Sequence, residues 1–265
     1  GLVGSEMCIR DSNCFYFQKT RICFSRYVEF IERVSLEILI LAVVTLPLLT
    51  ALFLKVANRF LNELLTNFIT INAALLSVAV SFFMFGYLLL DKFKPIKFEL
   101  FEWYPSPQII FEFYLDGLSG VMMVLISGLS LVIQLFSTSY MSKDEKYTKY
   151  FEYFNFFVFS MLLLVLSGNF LVMFFGWELV GLSSYLLISF WYEKNSAAKA
   201  GNKAFILNRI GDFGFLIGLM MILNYFETFN FVNIFESVLI KQPSNLDLII
   251  LFLLSFAVTA KNLVP

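Results

Sequence analysis

The chain has 265 residues, of which 59% are hydrophobic and 15% are charged, and its formal net charge at pH 7 is −1. Soluble globular domains carry about 25% charged residues, so the composition excludes an ordinary soluble domain and indicates a lipid environment. The near-zero charge argues against a nucleic-acid partner, and the absence of histidine excludes the commonest proton shuttle and metal ligand.

The N-terminal part is polar and is treated apart from the rest. Residues 1–12 resemble translated sequencing-adapter sequence and are excluded from fold reasoning. Residues 13–35 alternate charged and aromatic side chains, which is typical either of an interfacial helix or of a loosely ordered tail. The three cysteines, at positions 8, 14 and 23, match no zinc or redox spacing, so no metal site is expected.

Residues 36–265 read as a transmembrane domain, so the expected fold class is all-α, a polytopic transmembrane helical bundle. About seven apolar spans are predicted, at 36–56, 67–90, 118–140, 151–166, 169–191, 197–225 and from 246 to the C-terminus. A mixed-charge surface connection is expected at 91–116, and a tight turn at 167–169. The last span stops in mid-motif, which together with the adapter-like start predicts a fragment.

Ionisable residues interrupt the last three spans. Glu178 is central in the fifth, where a charge costs roughly 2.5–3.5 kcal/mol on insertion scales. Arg209 and Asp212 lie three residues apart on the sixth, a spacing that lets two side chains meet on one helix face. Lys261 is deep in the seventh span, and Lys203 precedes Arg209 by one to two turns, nearer a membrane surface.

A carboxylate and a lysine on neighbouring helices form a bistable proton-transfer unit. Pairing favours the charged form of both groups, whereas a separated, desolvated lysine loses its proton near neutral pH. We therefore predict that Glu178 and Lys261 transfer protons. For the other residues a structural reading stays open, in which Arg209 and Asp212 form an ion pair that only fixes a helix and Lys203 marks a solvated helix entrance.

A run of motifs carries a family resemblance. Residues 174–188 (FFGWELVGLSSYLLI), 203–205 (KAF) and 208–212 (NRIGD) closely resemble the antiporter-like subunit 5 family of NADH dehydrogenase, respiratory complex I. The stretches YLDGLS at 114–119 and YMSKD at 140–144 agree with it, and the resemblance extends over residues 36–265. It implies pumping units built from inverted repeats of broken helices, of which this chain holds one incomplete half-channel.

The resemblance also implies a function and roles for the buried charges. It implies proton translocation coupled to NADH oxidation and quinone reduction elsewhere in the complex. Glu178 and Lys261 correspond to the glutamate and lysine of the first half-channel, and Arg209 and Asp212 to a pair that tunes it, with Lys203 counted among the tuning residues. No catalytic residue and no cofactor is expected in this chain, because NADH, flavin, iron–sulfur clusters and quinone belong to other subunits.

The expected partners are the lipid bilayer and the other complex I membrane subunits, especially the neighbouring antiporter-like subunit. Composition favours the mitochondrial inner membrane over a bacterial plasma membrane or a plastid thylakoid. One alternative is the large subunit of a Mrp-type cation/proton antiporter, which shares the tryptophan–glutamate motif, although the stretches at 140–142 and 209–212 favour complex I. The other is a non-translocating membrane scaffold, against which the buried glutamate and lysine argue.

Overall fold

The computed structural model describes residues 35–105, 108–240 and 245–262, with the backbone alone at 104–105, 108–109, 239–240, 245–247, 256–258 and 260–262. The chain divides into two compact units, Gly1–Leu41 and Ala42–Pro265. Of the first unit only residues 35–41, the start of a helix, are described. The predictions for residues 1–12 and for all but the last residue of 13–35 therefore lie outside the described residues, and the contacts described below are all within the second unit.

The described residues are mostly helical, which confirms the predicted fold class. The helices are α1 Ser35–Ala57, α2 Glu63–Leu90, α3 Gly117–Tyr140, α4 Tyr147–Val165, α5 Phe170–Ile188, α6 Asn195–Phe226, α7 Phe231–Ile240 and α8 Asn245–Asn262. Five of them, α1, α2, α3, α5 and α6, are long and apolar enough to cross a membrane. The chain is therefore a multi-pass membrane protein.

Seven membrane spans are not confirmed. The five candidate helices agree with predicted spans to within four residues at either end. The fourth predicted span corresponds to α4, which carries Lys149, Glu152 and Asn155 in its first half and is not among the helices apolar enough to cross a membrane. The seventh corresponds to α8, whose side chains are described only in part.

The connection at 91–116 contains two strands that were not predicted. Strand β1, Ile96–Pro105, pairs antiparallel with β2, Gln108–Leu115, and Glu99 lies opposite Glu112. The prediction of a mixed-charge surface connection was incomplete because polar residues alternate with aromatic ones here, as at Lys97, Phe98 and Glu99. Such alternation favours a strand with one face covered.

The hairpin is fastened to the starts of α5 and α7. The predicted tight turn at 167–169 is confirmed, since α4 ends at Val165 and α5 begins at Phe170. In this turn the Gly168 amide donates to the carbonyl of Glu112 at 2.9 Å, and Asn169 Nδ2 donates to the carbonyl of Ile110 at 2.6 Å. Asn230, just before α7, donates from Nδ2 to Oε1 of Glu112 at 2.5 Å.

Helix α5 packs closely against α4. A Cβ atom added to Gly176 would lie 2.7 Å from the Cα and N atoms of Leu164, so only a glycine permits this approach of the two backbones. On the other side α4 packs antiparallel to α3, where Gln134 Nε2 donates to Asn155 Oδ1 at 3.3 Å. This packing fixes which face of α5 is free to meet α6.

Candidate functional site

The site lies on α5 and α6. Helix α5 begins with a side-chain cap, because Asn169 Oδ1 accepts a 2.8 Å hydrogen bond from the amide of Val172. Its 19 residues are apolar on nearly every side, as expected for a helix surrounded by lipid and other helices. Glu178 is the ninth of those residues, so its carboxylate starts from the middle of the helix.

Helix α6 runs antiparallel to α5 and sets the register of the site. At one end a Cβ atom on Gly201 would lie 2.8 Å from Cβ of Ser189. At the other, the rings of Trp177 and Phe215 have centroids 5.8 Å apart. Small residues on the buried side of α6 allow this approach, namely Gly201, Ala204, Gly211, Gly214 and Gly218. The register brings Glu178 to the level of Arg209.

Four side chains form one network, called here the α5–α6 charge cluster: Trp177, Glu178, Arg209 and Asp212. Arg209 Nη1 makes an ion pair and hydrogen bond with Oε2 of Glu178, and lies 4.0 Å from Oδ2 of Asp212. Trp177 Nε1 donates a 2.8 Å hydrogen bond to Oδ1 of Asp212. The guanidinium carbon of Arg209 stacks 4.9 Å from the ring centroid of Phe205, one turn earlier.

Burial within the cluster is graded. The side chain of Asp212 is 6% exposed, that of Glu178 is 20% exposed and that of Arg209 is 46% exposed. Two carboxylates and one guanidinium give the three ionisable groups a formal charge of −1. A net charge inside a membrane is costly, so such a group of residues requires compensation from its surroundings. Chemically it is suited to hold and release a proton.

Lys261 is placed by its backbone alone, because its side chain lies outside the described residues. Helix α8 runs antiparallel to α6, and a Cβ atom on Gly218 would lie 3.4 Å from Cδ2 of Leu254. Seven residues onward from Leu254 is Lys261, and seven back from Gly218 is Gly211, the neighbour of Asp212. At 1.5 Å per residue on both helices, the backbone of Lys261 reaches the depth of the charge cluster.

The structure thus brings together three of the five residues that the sequence singled out. Arg209 makes an ion pair with Glu178 that the sequence did not predict, and it lies 4.0 Å from the carboxylate of Asp212. Lys203 is exposed on α6 and makes no ion pair with any described residue. The pairing of Glu178 with Lys261 stays a prediction.

Two polar side chains of α5 and α6 are not assigned a role from the sequence. Trp177 supplies the hydrogen bond to Asp212. Asn208 is buried, and its Oδ1 has no hydrogen-bond partner in the described part of the chain. The signal was available, since Asn208 precedes Asp212 by four residues and therefore lies on the same helix face.

Two family models match the chain. Residues 103–151 match the model described as NADH-Ubiquinone oxidoreductase (complex I), chain 5 N-terminus. Residues 167–264 match the model described as NADH:quinone oxidoreductase/Mrp antiporter, TM, and this segment contains the whole charge cluster and Lys261. Together the two models account for more than half of the chain.

Two curated proteins are similar to this chain over most of its length. NADH-quinone oxidoreductase subunit L of Rickettsia bellii is 35% identical over 195 residues, which are 73% of this chain and 30% of that protein. NADH-ubiquinone oxidoreductase chain 5 of Metridium senile is 35% identical over 218 residues, or 82% of this chain and 36% of that protein. The chain thus spans about a third of the length of these curated relatives.

A solved structure has the same fold. A chain of the membrane-bound sulfane sulfur reductase, an archaeal respiratory membrane complex, superposes with a TM-score of 0.73 over 83% of this chain and 44% of that one. The sequence identity is 21%, so this likeness concerns the fold alone.

Proposed function

Because this chain belongs to the family of antiporter-like membrane subunits shared by NADH:quinone oxidoreductases and Mrp antiporters, we propose that it is part of a proton-translocating subunit of complex I. The observation that carries the proposal is the α5–α6 charge cluster, in which Arg209 lies between Glu178 and Asp212 on two membrane-crossing helices. Such groups are costly in a bilayer and are rarely kept for packing.

The cluster works as a two-position switch. With Arg209 on Glu178, the opposite charge keeps that carboxylate ionised. When Arg209 closes the 4.0 Å gap to Asp212 instead, its contact with Glu178 opens and a proton takes the place of the guanidinium on that carboxylate. Trp177 holds the Asp212 carboxylate in place from α5, so the arginine has a fixed second position. Proton uptake and release at Glu178 thus follow the position of one guanidinium.

Lys261 is the proposed exchange partner of Glu178. Its backbone lies at the depth of the cluster on the helix next to α6. An approaching lysine ammonium replaces the arginine as counter-ion, and a retreating one leaves its proton on the carboxylate. Lys203, exposed and nearer the start of α6, is assigned to the entrance rather than to the transfer itself.

The proposal places the redox chemistry outside this chain. NADH, flavin, iron–sulfur clusters and quinone are assigned to other subunits, and the enzyme activity belongs to the assembled complex. The proposed partners are the other complex I membrane subunits, the neighbouring antiporter-like subunit first. The mitochondrial inner membrane is supported by the relative from Metridium senile, and the relative from Rickettsia bellii makes a bacterial plasma membrane the alternative.

A Mrp-type antiporter is the second candidate, because the family model over residues 167–264 is common to both classes. The match of residues 103–151 to a complex I chain 5 model favours the first. Membranes containing the full-length protein discriminate between them. Proton movement driven by NADH supports complex I, whereas proton movement driven by a sodium gradient and independent of NADH supports the antiporter.

The decisive experiment compares Glu178→Gln and Lys261→Ala in the full-length protein, with Lys143→Gln, which removes an exposed lysine outside the charge cluster, as the control. Proton pumping and NADH oxidation are measured in the same membranes. We expect both variants to lower pumping while much of the assembly and NADH oxidation remain, and the control to pump nearly as the wild type. Wild-type pumping in both variants would overturn the assignment.

A further inference from the structure

Two adjoining cavities lie where α1 ends and α4 begins, away from the charge cluster. The larger, about 560 Å³, is formed mainly by α1 and α4. The smaller, about 340 Å³, is formed by the start of α4, the end of α5 and the start of α6. Lys149, Tyr153 and Leu186 line both, so the cavities form one site, called here the double cavity.

The larger cavity changes character with depth. On α1, Leu48 and Leu52 line its inner part, and Lys55 follows near the end of this membrane-crossing helix. On α4, Phe156 lies deeper and Lys149 belongs to the first turn. The basic groups therefore lie at the level where a span meets the membrane surface, and the apolar wall lies at the level of the hydrocarbon.

The charges of this cavity do not balance. Lys55, Lys149 and Glu152 line it, and the carboxylate interacts electrostatically with both lysines, which leaves a formal charge of +1. Neither lysine has an ion pair within 4.0 Å among the residues that the structure describes. By contrast, Lys146 in the smaller cavity is paired with Glu193 at 2.6 Å. One negative charge between Lys55 and Lys149 would neutralise the larger cavity.

We propose that the double cavity binds one anionic phospholipid. Its phosphate lies between Lys55 and Lys149, and an acyl chain lies along Leu48, Leu52 and Phe156. Basic pockets between membrane helices are suited to such headgroups. A free phosphate would satisfy the lysines and leave the apolar wall uncovered, whereas a zwitterionic lipid would cover the wall and leave the charge. The site goes beyond proton translocation and requires only that the chain spans a membrane.

The test compares a Lys55→Gln/Lys149→Gln double variant with Lys143→Gln, which removes an exposed lysine of the same end of the bundle that lines neither cavity. The full-length protein is purified in mild detergent with the subunits that accompany it. Mass spectrometry then counts anionic and zwitterionic phospholipids per protein. We expect the double variant to contain several-fold less anionic lipid, with its zwitterionic lipid unchanged. Lys143→Gln and the charge-conserving Lys55→Arg/Lys149→Arg variant should retain the anionic lipid.

Three outcomes would overturn the proposal. The first is equal anionic-lipid content in the double variant and the wild type. The second concerns the thermal stability of the wild type in phosphatidylcholine vesicles. If excess inorganic phosphate raises it as much as phosphatidylglycerol does, the site is one for a free anion. The third is a cryo-EM map of the assembled complex in which a protein segment fills the double cavity. Proton pumping is recorded separately, so failure here leaves the charge-cluster proposal intact.

Discussion

The indole nitrogen of Trp177 donates a 2.8 Å hydrogen bond to Oδ1 of Asp212, so this carboxylate is anchored by the facing helix rather than by the arginine on its own helix. Arg209 lies 4.0 Å from the other carboxylate oxygen and makes its closer contact with Glu178. Trp177 and Glu178 are adjacent in the sequence, and both bind partners on α6. Trp177 and Glu178, two successive residues of α5, therefore link the carboxylates of Glu178 and Asp212 through their contacts with α6.

Replacing Trp177 with Phe keeps the ring and removes the donor. Asp212, buried to 6% exposure, then lacks a hydrogen bond, which costs about 1–3 kcal/mol, and it attracts Arg209 away from Glu178. We expect lower thermal stability in detergent and a several-fold loss of proton pumping. Trp191→Phe is the matched control, because Trp191 Nε1 donates a 2.8 Å bond to Asp144 at an exposed site. Equal effects of the two changes would contradict the role of Trp177.

A double-mutant cycle on Glu178 and Arg209 tests the ion pair itself. Arg209→Gln leaves two carboxylates without their arginine, so we expect it to lower the free energy of unfolding more than Glu178→Gln does. The loss on breaking a buried pair is about 3–5 kcal/mol, and the exposure of Arg209 places this one at or below the lower end. In the double variant the loss should be smaller than the sum of the single losses. Strict additivity would show that the pair carries no coupling.

Much of the fold follows from the length of the apolar runs. The runs that became α1, α2, α3, α5 and α6 are each longer than 18 residues, and a span of that length has few alternatives to a helix. The hairpin is harder to predict because the charges at Lys97, Glu99 and Glu112 favour a loop, although they alternate with aromatic residues. Helix α7, only 10 residues long, is too short to stand out beside membrane spans.

The site was predictable as a set of residues and not as a set of contacts. Glu178, Arg209 and Asp212 are visible as charges in apolar runs. Which of them meet depends on the rotation and register of α5 against α6, and these are set by tertiary contacts such as Gly176 on Leu164 and Gly201 on Ser189. One sequence without its packing leaves that register open. For this reason the sequence does not single out Arg209 as a partner of Glu178.

Gly176 provides a prediction about packing. An added Cβ atom would lie 2.7 Å from the backbone of Leu164 and 3.0 Å from its Cβ, and backbone atoms cannot move aside cheaply. We expect Gly176→Ala to lower the free energy of unfolding by about 1–3 kcal/mol. Gly128→Ala is the matched control, since nothing lies within 4 Å of its added Cβ. There the gain in helix propensity should leave the protein as stable or more stable, by up to about 1 kcal/mol.

Thermal unfolding in detergent, read by tryptophan fluorescence, measures both glycine variants. If Gly176→Ala proves as stable as Gly128→Ala, the close approach of α4 and α5 is wrong and the register of the charge cluster loses its support. A loss confined to Gly176→Ala, accompanied by lower pumping, would show that the α4–α5 contact positions Glu178.

The last prediction concerns Glu112, the buried carboxylate that fastens the hairpin outside the membrane spans. Burial raises its pKa above the ordinary value of 4.5; Lys97 acts against the shift, Glu99 adds to it, and hydrogen bonds from Asn230 and Asn169 act against it. With a higher pKa in the folded state, the folded protein binds more protons than the unfolded one. The resulting stabilisation is fully present below pH 4.5 and is lost as the pH rises through the folded pKa.

Glu112→Gln keeps a side-chain oxygen that accepts the bond from Asn230 and removes the titration. We expect the variant to be more stable than the wild type at pH 7.5, and the difference to shrink as the pH falls towards 4.5. Each pH unit between the two pKa values contributes at most about 1.4 kcal/mol. Glu102→Gln, which removes an exposed carboxylate from the same hairpin, should leave the pH profile of thermal stability unchanged. A wild type that gains stability relative to Glu112→Gln as the pH rises would mean that the carboxylate, and not the acid, is the form that holds the hairpin to α5 and α7.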